Sequence, residues 1–126
     1  MQNPYEKYKQ QSVMTMTQGD MIHLLFDETI NSLNKGLACM ENKDFAECNQ
    51  LFKKAQNIVS HLSATLNPEY AISQNLSSLY EYFIYQIVQA NIKKEPEGIQ
   101  EILPMLAELQ EAFAQADKQV RMESHG

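Results

Sequence analysis

The chain has 126 residues, with ten Lys or Arg against sixteen Asp or Glu, and only four Gly and four Pro. This length suits one domain with one hydrophobic core (residues 1–126), and the scarcity of Gly and Pro favours an all-helical fold. The formal net charge of −6 at pH 7 argues against nucleic acid or an anionic membrane surface as the main partner.

No apolar run approaches the roughly 20 residues that a membrane-spanning helix needs, so no membrane insertion is expected. The N-terminal sequence MQNPYEKYKQQSV lacks the apolar centre of a signal peptide. Both observations predict a cytoplasmic protein.

Residues 1–16 show no helical period, although they contain apolar and aromatic side chains. A purely solvated tail would hold fewer of them. We therefore expect an extended N-terminal arm, either packed permanently on the domain or covering an apolar groove that it can leave. The residues concerned are Tyr5, Tyr8, Val13, Met14 and Met16.

Four amphipathic helices are predicted, at about 17–41, 44–66, 71–94 and 97–120. Thr17 is an acceptable N-cap with Asp20 in the first turn, and Asp44 caps the second helix with Glu47 at the capping-box position. The predicted core stripe of the first helix is Ile22, Phe26, Thr29, Ile30, Leu33, Leu37 and Met40, and that of the second is Cys48, Leu51, Phe52, Ala55, Ile58, Val59, Leu62 and Leu66. The stripe of the third helix is Leu76, Leu79, Tyr80, Phe83, Ile87 and Ala90. The stripe of the fourth is Ile99, Ile102, Leu103, Leu106, Leu109, Phe113 and Val120.

Proline marks the helix boundaries. Asn67-Pro68 ends the second helix and Glu95-Pro96 ends the third, so that Pro96 can begin the fourth. Pro104 predicts a kink or a late helix start, and residues after Arg121 are expected to fray. Short connections between four such helices predict an antiparallel four-helix bundle.

The third helix is apolar on two faces. Tyr85, Val88 and Ile92 recur at helical spacing opposite its core stripe. Because so short a chain cannot cover both faces, we interpret the second face as a docking site for a partner helix, with homodimerisation as an alternative. Leu24, which points away from the stripe of the first helix, is a weaker candidate.

Site chemistry is sparse. No Glu-x-x-His pair supports a metal centre, and no phosphate-binding loop or nucleophile motif suggests an enzyme or a cofactor. A histidine phosphotransfer bundle is the alternative function, with His61 a better candidate than His23, which Phe26 and Asp27 follow one turn later. Cys39 and Cys48 flank a predicted turn, where a redox switch is conceivable but a pair of small buried side chains is favoured.

Several stretches together resemble the flagellar export chaperone family FliS. The most specific is NLSSLYEYFIYQIVQANIKK, residues 75–94. Others follow in the same order along nearly the whole chain: Asn3-Pro4-Tyr5, MIHLLFDETI at 21–30, ENKD at 41–44, Ala55-Gln56-Asn57-Ile58 and Glu111-Ala112-Phe113. The chain departs from the family pattern at Met16-Thr17-Gln18, at Leu25-Phe26-Asp27-Glu28, at Tyr85-Gln86 and in the shortened 66–75 region.

The resemblance implies a non-enzymatic chaperone. Such proteins hold the C-terminal segment of flagellin, block premature filament assembly and present the cargo to the cytoplasmic domain of the export gate. It also implies that Tyr5 engages the gate, with Tyr8 on the same arm. The flagellin groove is assigned to Tyr85, Val88 and Ile92 from their position on the helix, not from a family motif.

Overall fold

Four α-helices make up most of the chain in the computed structural model, which describes residues 16–125. They are α1 (Gln18–Glu41), α2 (Phe45–Ala64), α3 (Ile72–Lys93) and α4 (Glu97–His125). No strand occurs within this range, and the predicted all-helical bundle is confirmed.

The helices form a ring in which each packs against its two neighbours in sequence, and α4 closes the ring against α1. Contacts between side chains show that neighbours run antiparallel. Lys94 Nζ, just after α3, donates to Asn49 Oδ1 near the start of α2 at 2.9 Å. Arg121 Nη2, near the end of α4, donates to Asp20 Oδ1 near the start of α1 at 3.1 Å.

The core follows the predicted stripes closely. Its fully or nearly fully buried side chains come from all four helices, and further predicted residues pack half-buried around them. Val120 was wrongly assigned to the core, because its side chain is 61% exposed at the end of α4, at the level where α1 begins. The buried apolar set is Phe26, Leu33, Met40, Cys48, Phe52, Ala55, Val59, Leu62, Tyr80, Phe83, Ile87, Ala90, Ile99, Ile102 and Leu106.

Both predicted N-caps are present. The Thr17 hydroxyl accepts from the Asp20 amide at 3.1 Å, and the Asp20 carboxylate accepts from the Thr17 amide at 3.4 Å, which completes a capping box. At α2, the Asp44 carboxylate accepts from the Glu47 amide at 3.3 Å. These bonds satisfy amides that have no partner inside the helix.

Two helix ends differ from the prediction. The second helix ends at Ala64 instead of 66, because the Thr65 hydroxyl donates to the Leu62 carbonyl at 2.7 Å and the chain leaves through a turn well before Pro68. The fourth begins at Glu97, as predicted, and continues through Pro104, so the alternative of a late start at Pro104 is wrong. It also remains helical as far as His125, where fraying was expected after Arg121.

One close helix contact was not foreseen. Gly36 is buried on α1, and a Cβ atom at this position would lie 2.5 Å from the Phe52 ring of α2. Since Phe52 is itself fully buried, its ring has little room to move. Gly36 therefore allows α1 and α2 to approach closely, although glycine disfavours the helix itself.

Candidate partner-binding face

The third helix presents apolar side chains both inward and outward. Its inner face buries Tyr80, Phe83, Ile87 and Ala90 in the core between α2 and α4. Burial raises the pKa of Tyr80 to about 12, because the phenolate is disfavoured away from water. This face is fully used by the bundle.

The outer face of α3, defined here as Tyr85, Val88 and Ile92, has a different environment. Tyr85 is 60% exposed and Ile92 is 71% exposed. Val88 is half-buried, yet it does not belong to the group of partly buried side chains that pack on the core. The three residues therefore form an apolar strip that the described helices leave open.

Exposed apolar side chains concentrate around this helix. Of the seven large ones in residues 16–125, four lie on α3 or in the turn before it, and α1 has none. Phe45 begins α2, beside the end of α3, since Lys94 is bonded to Asn49 one turn further along α2. The seven are Phe45, Tyr70, Ile72, Tyr85, Ile92, Val120 and Met122. Tyr85 and Ile92, which share the outer face of α3, are therefore candidates for an interaction surface, whereas singly exposed apolar residues are common on soluble proteins.

Polar contacts on both flanks fix the orientation of α3. On the α4 side, the Tyr82 hydroxyl donates to the Glu101 carboxylate and accepts from Gln86 Nε2 at 3.0 Å. The bond to Glu101 raises the pKa of Tyr82, because it favours the protonated phenol. On the α2 side, Lys94 Nζ donates to the Asn91 carbonyl at 2.6 Å as well as to Asn49. These bonds tie α3 to α4 on one flank and to α2 on the other.

The remaining predicted site residues lie elsewhere. Leu24 is half-buried on α1, which lies diagonally across the bundle from α3, so it does not share the outer face of α3. Tyr5 and Tyr8 lie outside the described residues, as does nearly all of the predicted N-terminal arm. The structure therefore brings Tyr85, Val88 and Ile92 together and separates Leu24 from them.

His23 and His61 lie on the surface of the bundle. His61 is exposed on α2, beside an open groove between α1 and α2. His23 lies with its Nε2 atom 3.7 Å from the Asp27 carboxylate. That carboxylate also accepts from Gln110 at 2.7 Å.

The two thiols are poorly suited to redox chemistry. Both cysteines are free, with Cys48 fully buried and Cys39 half-buried. Loss of solvation raises the pKa of each thiol, and the carboxylates of Asp44 and Glu47 raise that of Cys39 further. Because the thiolate is the reactive form, these shifts favour the interpretation of both cysteines as packing residues.

A polar cluster at one end of the bundle was missed from the sequence. Arg121 on α4 forms salt bridges with Asp20 of α1 at 3.1 Å and with Asp117 at 3.0 Å, and it donates to the Thr17 hydroxyl at 2.6 Å. The hydrogen bond from Arg121 is the main reason why the pKa of Asp20 is lowered. Only the i,i+4 spacing of Asp117 and Arg121 was visible beforehand.

Comparison with known proteins identifies the family. A family model described as "Flagellar protein FliS" matches residues 1–120. The chain belongs to the FliS family. A flagellar secretion chaperone FliS of Bacillus subtilis (strain 168) is 32% identical over 126 residues, which cover 100% of this chain and 95% of the relative. The FliS of Salmonella typhimurium (strain LT2) is 32% identical over 107 residues, covering 82% and 79% of the two chains.

A solved structure shares the fold of this chain. A bacterial flagellar chaperone crystal structure superimposes with a TM-score of 0.76, at 20% identity, and covers 91% of this chain and 95% of that one. Since FliS relatives are chaperones, the prediction of a non-enzymatic protein is confirmed. The family assignment also favours a chaperone over a phosphotransfer protein that would use His61. Within residues 16–125, no helix has both the length and the apolar character to cross a membrane.

Proposed function

We propose that this protein binds the C-terminal helical segment of flagellin, prevents its premature polymerisation in the cytoplasm and delivers it to the flagellar export gate. The observation that carries the proposal is the apolar outer face of α3, on which Tyr85 and Ile92 are largely exposed in a member of a flagellar secretion chaperone family. An exposed strip at helical spacing suits an amphipathic client helix.

When the flagellin helix docks on α3, its apolar face exchanges the contacts it would make in a filament for contacts with this protein. A client helix lying along the outer face of α3 buries Tyr85 and Ile92, and full burial of a large apolar side chain contributes about 1.5–3 kcal/mol. The client must also become ordered when it binds, which lowers the net affinity relative to the area buried. That balance keeps the client away from filament contacts and still permits its release at the gate.

The N-terminal arm has a separate proposed role. Following the family resemblance, Tyr5, with Tyr8 beside it, engages the cytoplasmic domain of the export gate. Tyr5→Ala is expected to leave flagellin binding unchanged and to weaken capture of the loaded complex by that domain. Equal capture of the mutant and wild-type complexes would contradict this role.

Weak homodimerisation is the alternative use of the same face. Two copies joined through the outer face of α3 would hide Tyr85 and Ile92, so dimer and client would compete. Sedimentation with and without a flagellin peptide separates the two: competition predicts that the peptide dissociates any dimer that forms.

The direct test is calorimetric titration of the protein with an isolated flagellin C-terminal peptide. We expect saturable, stoichiometric binding that leaves the peptide chemically unchanged. Absence of binding would contradict the proposed function. Phosphorylation of His61 by a phosphorylated response regulator, together with absence of peptide binding, would support phosphotransfer instead.

A further inference from the structure

A second apolar surface lies between α1 and α2, away from the outer face of α3. It is an open groove to which α1 contributes Leu25, and α2 contributes Ile58 and the remaining lining residues. Both side chains are half-buried and pack against the core, so they provide a fixed apolar floor. Lys53, Lys54 and His61 line the same groove, and the aliphatic stems of the lysines extend its apolar surface.

The charge of this groove differs from that of the whole protein. The chain carries a net charge of −6, yet no Asp or Glu lines the groove in the described part of the chain. The nearest carboxylate partner is Glu28, whose Oε2 lies 3.2 Å from Lys54 Nζ. Lys53 forms no salt bridge within residues 16–125, so its charge is available to a ligand.

We propose that the α1–α2 groove binds a second protein partner through an amphipathic helix that carries carboxylates beside its apolar stripe. Two adjacent helices present a groove into which the ridge of a third helix can pack. The partner's apolar stripe would cover Leu25 and Ile58, and its carboxylates would lie beside Lys53 and Lys54.

The chemistry favours an acidic helix over a phosphate-bearing ligand. Glu28 already neutralises one of the two lysines, and nucleic acid would need a larger basic area than the groove offers. A helix with two or three carboxylates matches the weak positive charge and would also use the apolar floor. Charges at the rim of such a contact mainly control the association rate and its dependence on salt.

Two synthetic helical peptides test the proposal against the full chain. They share one leucine stripe, which Glu flanks in the first peptide and Lys in the second. The Glu-flanked peptide is expected to bind more tightly, with an association rate that falls as salt is added. Lys53→Glu/Lys54→Glu should weaken the Glu-flanked peptide by about tenfold or more and should strengthen the Lys-flanked one.

Controls locate the site. Lys43→Glu/Lys118→Glu changes the net charge equally at distant positions, and Ile92→Glu changes the outer face of α3. Neither should affect the Glu-flanked peptide, and thermal melting of all variants should remain near that of the wild type. An equal loss in either control would overturn the proposal, as would unchanged binding to Lys53→Glu/Lys54→Glu.

A flagellin C-terminal peptide separates this groove from the client site. Lys53→Glu/Lys54→Glu should bind that peptide as the wild type does. A matching loss of affinity would make the groove part of the flagellin site and would overturn the claim of a second partner. Failure of wild-type protein to bind flagellin would contradict the proposed function alone, because the Glu- and Lys-flanked peptides do not depend on it.

Discussion

The inner and outer faces of α3 differ in environment far more than in residue type. Ile87 and Ile92 are the same residue type and lie five positions apart on one helix, yet Ile87 is fully buried and Ile92 is 71% exposed. The bundle supplies α2 and α4 to the inner face and no described helix to the outer one. The apolar residues of α3 therefore belong to two different contact surfaces, and folding buries only the inner one.

The largest expected effect on stability comes from a substitution on the inner face of α3. Ile87→Ala should lower the free energy of unfolding by about 2–5 kcal/mol, because it removes buried contacts and leaves a cavity. Ile92→Ala makes the same chemical change on the exposed face and should stay within about 0.5 kcal/mol. Urea unfolding of the two variants measures both values.

Equal destabilisation by the two substitutions would contradict the comparison. It would mean that Ile92 already packs against something in the free protein, such as a second copy. Repeating the Ile92→Ala measurement at several protein concentrations identifies that case, because a dimer contact makes the stability concentration-dependent.

The next largest effect on stability comes from adding volume at a buried position instead of removing it. Gly36→Ala should destabilise the protein by about 1–3 kcal/mol, since the new Cβ would lie 2.5 Å from the buried Phe52 ring. This outweighs the gain of up to about 1 kcal/mol in helix propensity. Gly98→Ala is the control, because the one close contact of its Cβ would be the Gln86 Oε1 atom at 2.6 Å, a side-chain end that can shift more easily than a buried ring. It should be neutral or slightly stabilising in thermal melts; a stabilised Gly36→Ala would show that Phe52 can move.

The smallest effect concerns the polar end of the bundle. Hydrogen bonds from Arg121 lower the pKa of Asp20 in the folded state, so the charged carboxylate stabilises the fold above its ordinary pKa, at about pH 4. This contribution is lost as the pH falls through the lowered pKa. Arg121→Gln should therefore melt at a slightly lower temperature near neutral pH and approach the wild type in acid. Lys118→Gln serves as the control, and a constant difference at every pH would contradict the linkage.

Local signals explain why so much of the fold could be predicted. Thr17 and Asp44 satisfy amides within three residues of themselves, and the core stripes need only the helical period. The all-helical bundle followed from these features and from the short connections.

The predictions that failed depend on contacts between residues that are far apart in the sequence. Val120 continues the stripe of α4, but it lies where α1 is only beginning. Gly36 disfavours a helix by itself, and only the Phe52 ring of α2, packed against it, explains why glycine suits this position. For the candidate site, the sequence predicted which residues of α3 share an outward strip. It did not predict that Leu24 lies on the far side of the bundle, because that position depends on how the four helices are arranged around the core.

The central claim is that the outer face of α3 holds the flagellin client. Titration calorimetry of a flagellin C-terminal peptide with Ile92→Glu tests it most directly, with Ala107→Glu, exposed on α4, as the matched control. A carboxylate facing a docked apolar helix should weaken binding at least about tenfold, or 1.4 kcal/mol, while melting stays near that of the wild type. Wild-type affinity in Ile92→Glu, or an equal loss in Ala107→Glu, would contradict the claim.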